Sequence, residues 1–237
     1  MCTVTIVPYD DGFRLVCNRD ERRDRPSATT PTAHRLRDRA AIYPVDPVGG
    51  GTWIGVNDAG LAAALLNRTI DAAVSPGRTP QRSRGLIIPD LLGCRSLTDA
   101  FDIAAGLDPA LFDLFRLALV QRMAAVVLTS DGLELSAETM SLSRPLMLTS
   151  SSLGDAVVET PRRRLFDRLV LKNEGAWLSA QTRFHAHQWR SRADISVTME
   201  REVARTVSRT SITVTSHASE LRYDSLGSAR PRVVKAA

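Results

Sequence analysis

The chain is short of lysine, cysteine and aromatic residues, and each shortage narrows what it can be. Of its 31 basic residues only Lys172 and Lys235 are lysines, so the formal charge of +5 is carried by arginine. Runs such as Arg19-Asp20-Glu21-Arg22-Arg23-Asp24-Arg25 mix both signs, and with aromatics at 5% no stacking residues interleave with the arginines. That pattern argues for a solvated basic face and against a nucleic-acid partner. The three cysteines, Cys2, Cys17 and Cys94, lack metal-ligand spacing, and their odd number suits reduced thiols better than a disulfide framework. Histidine is scarce as well: His185-Ala186-His187 has no third ligand at metal spacing, so a structural or surface role is expected and no metal or organic cofactor. No apolar run reaches the roughly 18 residues of a membrane span, and no charged start precedes an apolar core as in a secretory signal. The expected location is the cytoplasm.

What the sequence does have is concentrated in its first twenty-one residues. Cys2-Thr3-Val4-Thr5-Ile6-Val7 is β-branched and alternating, Phe13-Arg14-Leu15-Val16-Cys17 is a second such run, and Asp10-Asp11-Gly12 between them is hairpin chemistry. Pairing residues 2 to 8 with 13 to 18 brings Cys2 beside Asn18-Arg19-Asp20. A small second residue favours removal of Met1, which would leave Cys2 with both a thiol and a free α-amine, a nucleophile with its own base near neutral pH. Arg19 could lower the thiol pKa or hold a substrate carbonyl or carboxylate, and Asp20 could orient the ammonium. The plainer alternative makes Cys2 the start of a strand and the charged run a solvated turn.

The 237 residues, 43% of them hydrophobic, suit one domain with a sizeable core, expected over 1–226, with a frayed tail over 227–237. Residues 22–49, with Pro26, Pro31, Pro44 and Pro47, read as a long polar loop near the site. Gly49-Gly50-Gly51 serves either a tight turn or close approach of a ligand, and Thr52 to Asn57 and Leu61 to Leu66 read as strands about Asp58-Ala59-Gly60. Residues 70–83 form another polar loop. Helices follow at 84–93 and after Ser96, then strands at 114–121, 124–129, 133–139 and 144–149, and a helix from Thr160-Pro161 to Lys172. The stretch 175–205 carries no clear pattern. Ile212 to Thr215 and Glu220 to Tyr223 read as a closing hairpin.

Five motifs, in order, resemble the NRDE family, also called the Transport and Golgi organisation protein 2 family: Met1-Cys2, Asn18-Arg19-Asp20-Glu21, Gly50-Gly51-Thr52-Trp53-Ile54-Gly55, Gly60 to Asn67, and Ser83-Arg84-Gly85. Glu159-Thr160-Pro161-Arg162 and Ser208-Arg209-Thr210-Ser211 look like its later motifs. The family in turn resembles the N-terminal-nucleophile hydrolases of the choloylglycine hydrolase and penicillin V acylase type. That resemblance implies an α+β fold, a four-layer αββα sandwich of two mainly antiparallel sheets. It implies a cysteine N-terminal-nucleophile amidohydrolase, acting as hydrolase or acyltransferase on an amide or thioester carbonyl. The implied catalytic set is Cys2, Arg19, Asp20, Asn67 and Arg209, with Asn67 in the oxyanion hole; Gly50, Gly51, Trp53, Ser151 and Ser152 would bind substrate. The pair Ser151-Ser152 departs from the Ser-Asn or Thr-Asn pair of those hydrolases. The alternative implied by the family is a non-catalytic carrier for haem or an acyl lipid, so the partner is a small molecule: an acylated amide, a thioester or haem.

Overall fold

The computed structural model describes residues 2–70, 80–227 and 231–236. Strand β1 (Cys2–Tyr9) and β2 (Gly12–Arg22) form the hairpin the sequence implies, with Asp10 at φ 44°, left-handed backbone that Asp tolerates in a two-residue turn. Their alternation divides the side chains between two faces. Cys2, Val4 and Ile6, with Leu15 and Cys17, point into one core, whereas Val7 points into another.

The expected loop over 22–49 instead contains a hairpin, β3 (Thr32–Leu36) and β4 (Arg39–Tyr43), turned at Arg37 with φ 53°. The four prolines lie outside these strands, where a missing N–H costs no ladder bond, so they frame the hairpin rather than prevent it. Strands β5 (Ile54–Asn57) and β6 (Ala62–Asn67) follow the glycine segment as expected. The polar loop expected over 70–83 falls largely outside the described residues.

After a short 3-10 turn, α1 (Ile87–Leu92) forms despite Pro89, and α2 (Leu97–Ala105) is capped by the Ser96 hydroxyl, which accepts from the Asp99 N–H at 3.1 Å. A meander of β7 (Phe115–Gln121), β8 (Ala124–Ser130) and β9 (Leu135–Ser141) leads to β10 (Leu146–Thr149). Helix α3 (Asp155–Phe166) begins a turn and a half before its expected start. Pro161 is not its first residue but lies inside it, and the helix continues as a π turn over Asp167–Leu171. The stretch without a sequence pattern holds α4 (Trp177–His185). Strands β11 (Ala204–Val214) and β12 (Ser219–Ser225) close the chain together with β13 (Arg232–Ala236), which pairs with β12 where a frayed tail was expected. Val234 and Ala236 pack on the core, and that burial holds the end of the chain in the sheet.

Among the described residues the strands form two antiparallel sheets, β10-β1-β2-β11-β12-β13 and β3-β4-β5-β6-β7-β8-β9. One core, holding Ile6, Phe13, Ile54, Leu66 and Ile212, lies between the sheets. A second packs α1 and α2 on the outside of the larger sheet, and a third packs α3 and α4 on the outside of the smaller. The result is a four-layer αββα sandwich, α+β in class. No described helix is long and apolar enough to cross a membrane.

Candidate active site

The β1–β2 register pairs Cys2 with Arg19 and Val4 with Cys17, so Cys2, Cys17 and Arg19 share the face that looks toward the second sheet. Cys2 opens β1 at the floor of a cleft of about 590 Å³. Its N–H donates to Ser150 Oγ at 3.1 Å and its carbonyl accepts from the Ser150 N–H at 2.9 Å, which fixes the backbone of the candidate nucleophile to β10. The Cys17 thiol donates to Cys2 Sγ and holds the Cys2 pKa below the ordinary thiol value against the opposing pull of burial; the Arg19 charge adds to the effect. Cys17 is correspondingly pushed well up, and burial also raises Cys94. All three are free thiols.

Of the residues singled out from sequence, Cys2, Arg19, Gly51, Trp53, Asn67 and Ser152 line this cleft. Asn67 sits at the end of β6, and its amide has no hydrogen-bond partner among the described residues. Arg19 is already engaged: its guanidinium lies 4.4 Å above the Trp53 ring and donates to Asp46 at 2.8 Å and Glu21 at 3.1 Å. Arg25 clamps the same two carboxylates, Arg22 pairs with Asp24, and Arg84 approaches Asp113 at 3.7 Å. Each arginine that lines the cleft thus has a carboxylate neighbour within the protein, including Arg19, which was expected to hold a substrate carbonyl or carboxylate.

Gly50 does not line the cleft; at φ 68° with open space around it, it makes a turn, and Gly51 packs against the backbone of Gly85. Asp46 organises this segment, accepting from the Val48 and Gly49 N–H groups at 2.9 and 3.2 Å. Burial pushes its carboxyl up, but those bonds and the Arg25 and Arg19 charges hold it below the usual range. The triple glycine is thus a turn built on Asp46.

Asp20, Arg209 and Ser151 lie elsewhere. Arg209 pairs with Asn18 across β2–β11 and faces the helices; it donates to Asn18 Oδ1 at 3.1 Å and the His185 carbonyl at 2.8 Å. It is a brace on the far side of the sheet from the Cys2 thiol. Ser151 is buried behind the cleft, and Arg201 donates to its hydroxyl at 3.0 Å and to that of Ser152 at 3.1 Å. Asp20 lies on the helix-facing side near the Cys2 end of the strand, and its charge reaches the thiol. A bulge in β11 between Thr206 and Ser208 turns the Thr206 hydroxyl onto Asp20 Oδ1 at 2.6 Å. Burial raises the Asp20 pKa, and Arg162 and Thr206 oppose the rise.

Arg162 is the largest fully buried side chain among the described residues, and nothing in its sequence pattern announces a role. Fully buried, it donates to Thr3 Oγ1 at 2.8 Å, Thr149 Oγ1 at 2.7 Å and the carbonyls of Ile195 and Ser196 at 3.0 and 2.7 Å, and lies 4.0 Å from Asp20. It ties β1, the strand of Cys2, to β10. His185 has a matching structural role. Arg209 and Asn18 leave Asn18 Oδ1 as an acceptor, so His185 donates from Nδ1 at 3.1 Å and its Nε2 accepts from Thr5 at 2.7 Å. Burial holds the ring neutral, its pKa well below the ordinary value. Ser208 and Thr210, on the cleft-facing side opposite Arg19 and Cys17, bury hydroxyls that have no partner among the described residues.

The sequence profile of the Transport and Golgi organisation 2 family matches residues 1–158. No curated protein sequence matches the chain. Among solved structures it is similar to a penicillin V acylase from Agrobacterium tumefaciens, with TM-score 0.59 and 13% identity over 99% of this chain and 86% of that one. It is similar to a variant of the conjugated bile acid hydrolase from Clostridium perfringens, with TM-score 0.60 and 10% identity over 99% and 92%. A third is the Caenorhabditis elegans orthologue of the N-acylethanolamine-hydrolyzing acid amidase, with TM-score 0.56 and 12% identity over 89% and 92%. At such identities the likeness is one of fold, a four-layer sandwich.

Proposed function

Because the chain belongs to the Transport and Golgi organisation 2 family and has the fold of the N-terminal-nucleophile hydrolases, we propose that it is a hydrolase or acyltransferase whose nucleophile is Cys2, acting on an amide or thioester carbonyl. The observation that carries this reading is the Cys2 thiol at the floor of the cleft, with its pKa lowered by Cys17 and the unpartnered Asn67 amide in the same wall. Once Met1 is removed, the Cys2 α-amine takes the thiol proton and the sulfur attacks the carbonyl carbon. Asn67 donates to the oxyanion that forms, a contribution of about 2.7–4 kcal/mol for one such donor. Collapse of the intermediate breaks the C–N or C–S bond as the ammonium returns its proton to the leaving group. Water, or a second acceptor, then releases the acyl group from sulfur. Asp20, whose charge reaches the thiol, orients the ammonium. Arg19 acts through its charge and its stacking on Trp53 rather than by binding substrate.

A carrier of an acyl lipid or haem is favoured by one observation. The hydroxyls of Ser151 and Ser152, at the place of the second oxyanion donor, are engaged by Arg201. A panel of acyl amides and acyl thioesters separates the two. The enzyme reading expects turnover by the wild type, loss of it in Cys2→Ala and a drop of roughly a hundredfold in kcat in Asn67→Ala. Saturable ligand binding equal in wild type and Cys2→Ala, with no substrate of the panel turned over, replaces it with the carrier.

A further inference from the structure

A second cavity, of about 270 Å³, opens on the opposite side of the smaller sheet, between α3 with its π turn and the loop that follows α4. Its walls carry Arg164 and Arg168, one helical turn apart, and Arg192 from the loop, around Leu165, Ile195 and the indole of Trp189. In a chain so rich in arginine the presence of three guanidinium groups says little; their lack of partners says more. The arginines of the Cys2 cleft are each matched by a carboxylate, whereas no carboxylate lines this cavity, and the three here form no side-chain hydrogen bond or ion pair among the described residues. The indole is held in place. The backbone N–H of Trp189 donates to Ser196 Oγ at 2.8 Å and its carbonyl accepts from the backbone N–H of Arg192 at 3.3 Å, which fixes the main chain that carries the ring, and His187 packs against the indole edge-on at 5.0 Å and 81°.

Three unpaired guanidinium groups form a charge-assisted, multidentate receptor for a phosphate, and an indole beside Leu165 and Ile195 offers a flat apolar surface to a ring. The volume is slightly below the usual small-ligand range of about 300–1,000 Å³, room for one ring system and one phosphate. We infer that this cavity binds a mononucleotide-sized organic phosphate, its phosphate on Arg164, Arg168 and Arg192 and its ring against Trp189. The site is separate from the Cys2 cleft and does not depend on the activity proposed for it.

Calorimetric titration of the purified full chain with adenosine 5′-monophosphate, adenosine, inorganic phosphate and a single-stranded oligonucleotide tests this. All the substituted side chains are at least partly exposed, and a melting curve for each variant establishes that it folds. The expected result is saturable 1:1 binding of the nucleotide, tighter than that of adenosine or phosphate. The double variant Arg168→Gln/Arg192→Gln weakens it by roughly tenfold or more, as loss of charged hydrogen bonds implies, and Trp189→Ala weakens it severalfold. Arg22→Gln at the Cys2 cleft leaves it unchanged. The inference is overturned by the absence of saturable nucleotide binding, by binding that these variants do not alter, or by phosphate binding as tightly as the nucleotide. Binding only of the oligonucleotide overturns it too, and points to a nucleic-acid surface.

Discussion

Two positions of difference in strand register decide which residues meet at the candidate site. Cys17 lies across from Val4, two along from Cys2 on the same face, and supplies the hydrogen bond that lowers the Cys2 pKa; Asn18, one position on, points the other way and anchors His185 instead. That buried, neutral His185 makes a pH prediction. Its folded pKa lies well below about 6.5, so as pH falls through that value the unfolded chain binds the proton and the folded one does not. Stability is therefore fully present above about pH 6.5 and is lost below it. Melting temperatures measured between about pH 7 and 5 should fall with pH in the wild type and fall less steeply in His185→Gln. An equal slope in both would remove His185 from the acid response. The same parity explains what was legible in the sequence. Cys2, Arg19 and Asn67 could be placed because turn chemistry and short strands fix their register, whereas Arg209 was expected at the nucleophile and lies behind the sheet because it pairs with Asn18. Arg162 was unreadable in that sense: its role depends on a helix whose inner face the sequence does not reveal.

At the scale of elements, α3 matters for one side chain. Arg162 is wholly buried and its guanidinium satisfies Thr3, Thr149 and two carbonyls of the loop after α4, with Asp20 at its margin. Arg162→Met removes the donor to these acceptors and one of the positive charges beside the buried Asp20, and the expected cost is about 3–5 kcal/mol, read from denaturant unfolding. A change below about 1 kcal/mol would mean that the network is not what holds β10 to β1. The last strand carries a second prediction. Deleting residues 231–237 strips β13 from the edge of β12 and exposes Leu221 and Tyr223, so the melting temperature should fall by about 2–4 °C for each kcal/mol lost. An unchanged melting temperature would return this segment to the status of a tail. The elements missed from sequence share one cause. Prolines that flank the β3–β4 hairpin suggested irregular chain, Pro161 suggested a helix start, and the strand at the C-terminus is held by tertiary pairing rather than by a strong local pattern.

For the whole molecule, the two sheets act as the frame that sets a strand end, and with it a thiol, at the floor of a cleft. The smaller sheet carries Cys2 and Cys17 and the larger carries Trp53 and Asn67 on or beside its strands, so the site exists only when the sheets are packed face to face. The four layers were expected from family resemblance; short strands, alanine-rich in the case of β6, agree with them but do not by themselves choose between a sandwich and a barrel. The central claim, that Cys2 is an activated N-terminal nucleophile, can be tested in one measurement. Purified protein is treated briefly with limiting iodoacetamide at about pH 6.5, where an ordinary thiol with a pKa near 8.5 is almost wholly protonated, and its intact mass and alkylated peptides are determined. The account predicts a chain that has lost Met1 and carries one carbamidomethyl group, on Cys2, with Cys17 and Cys94 unmodified. Retention of Met1, or modification of Cys2 no faster than of the other two thiols, would contradict it.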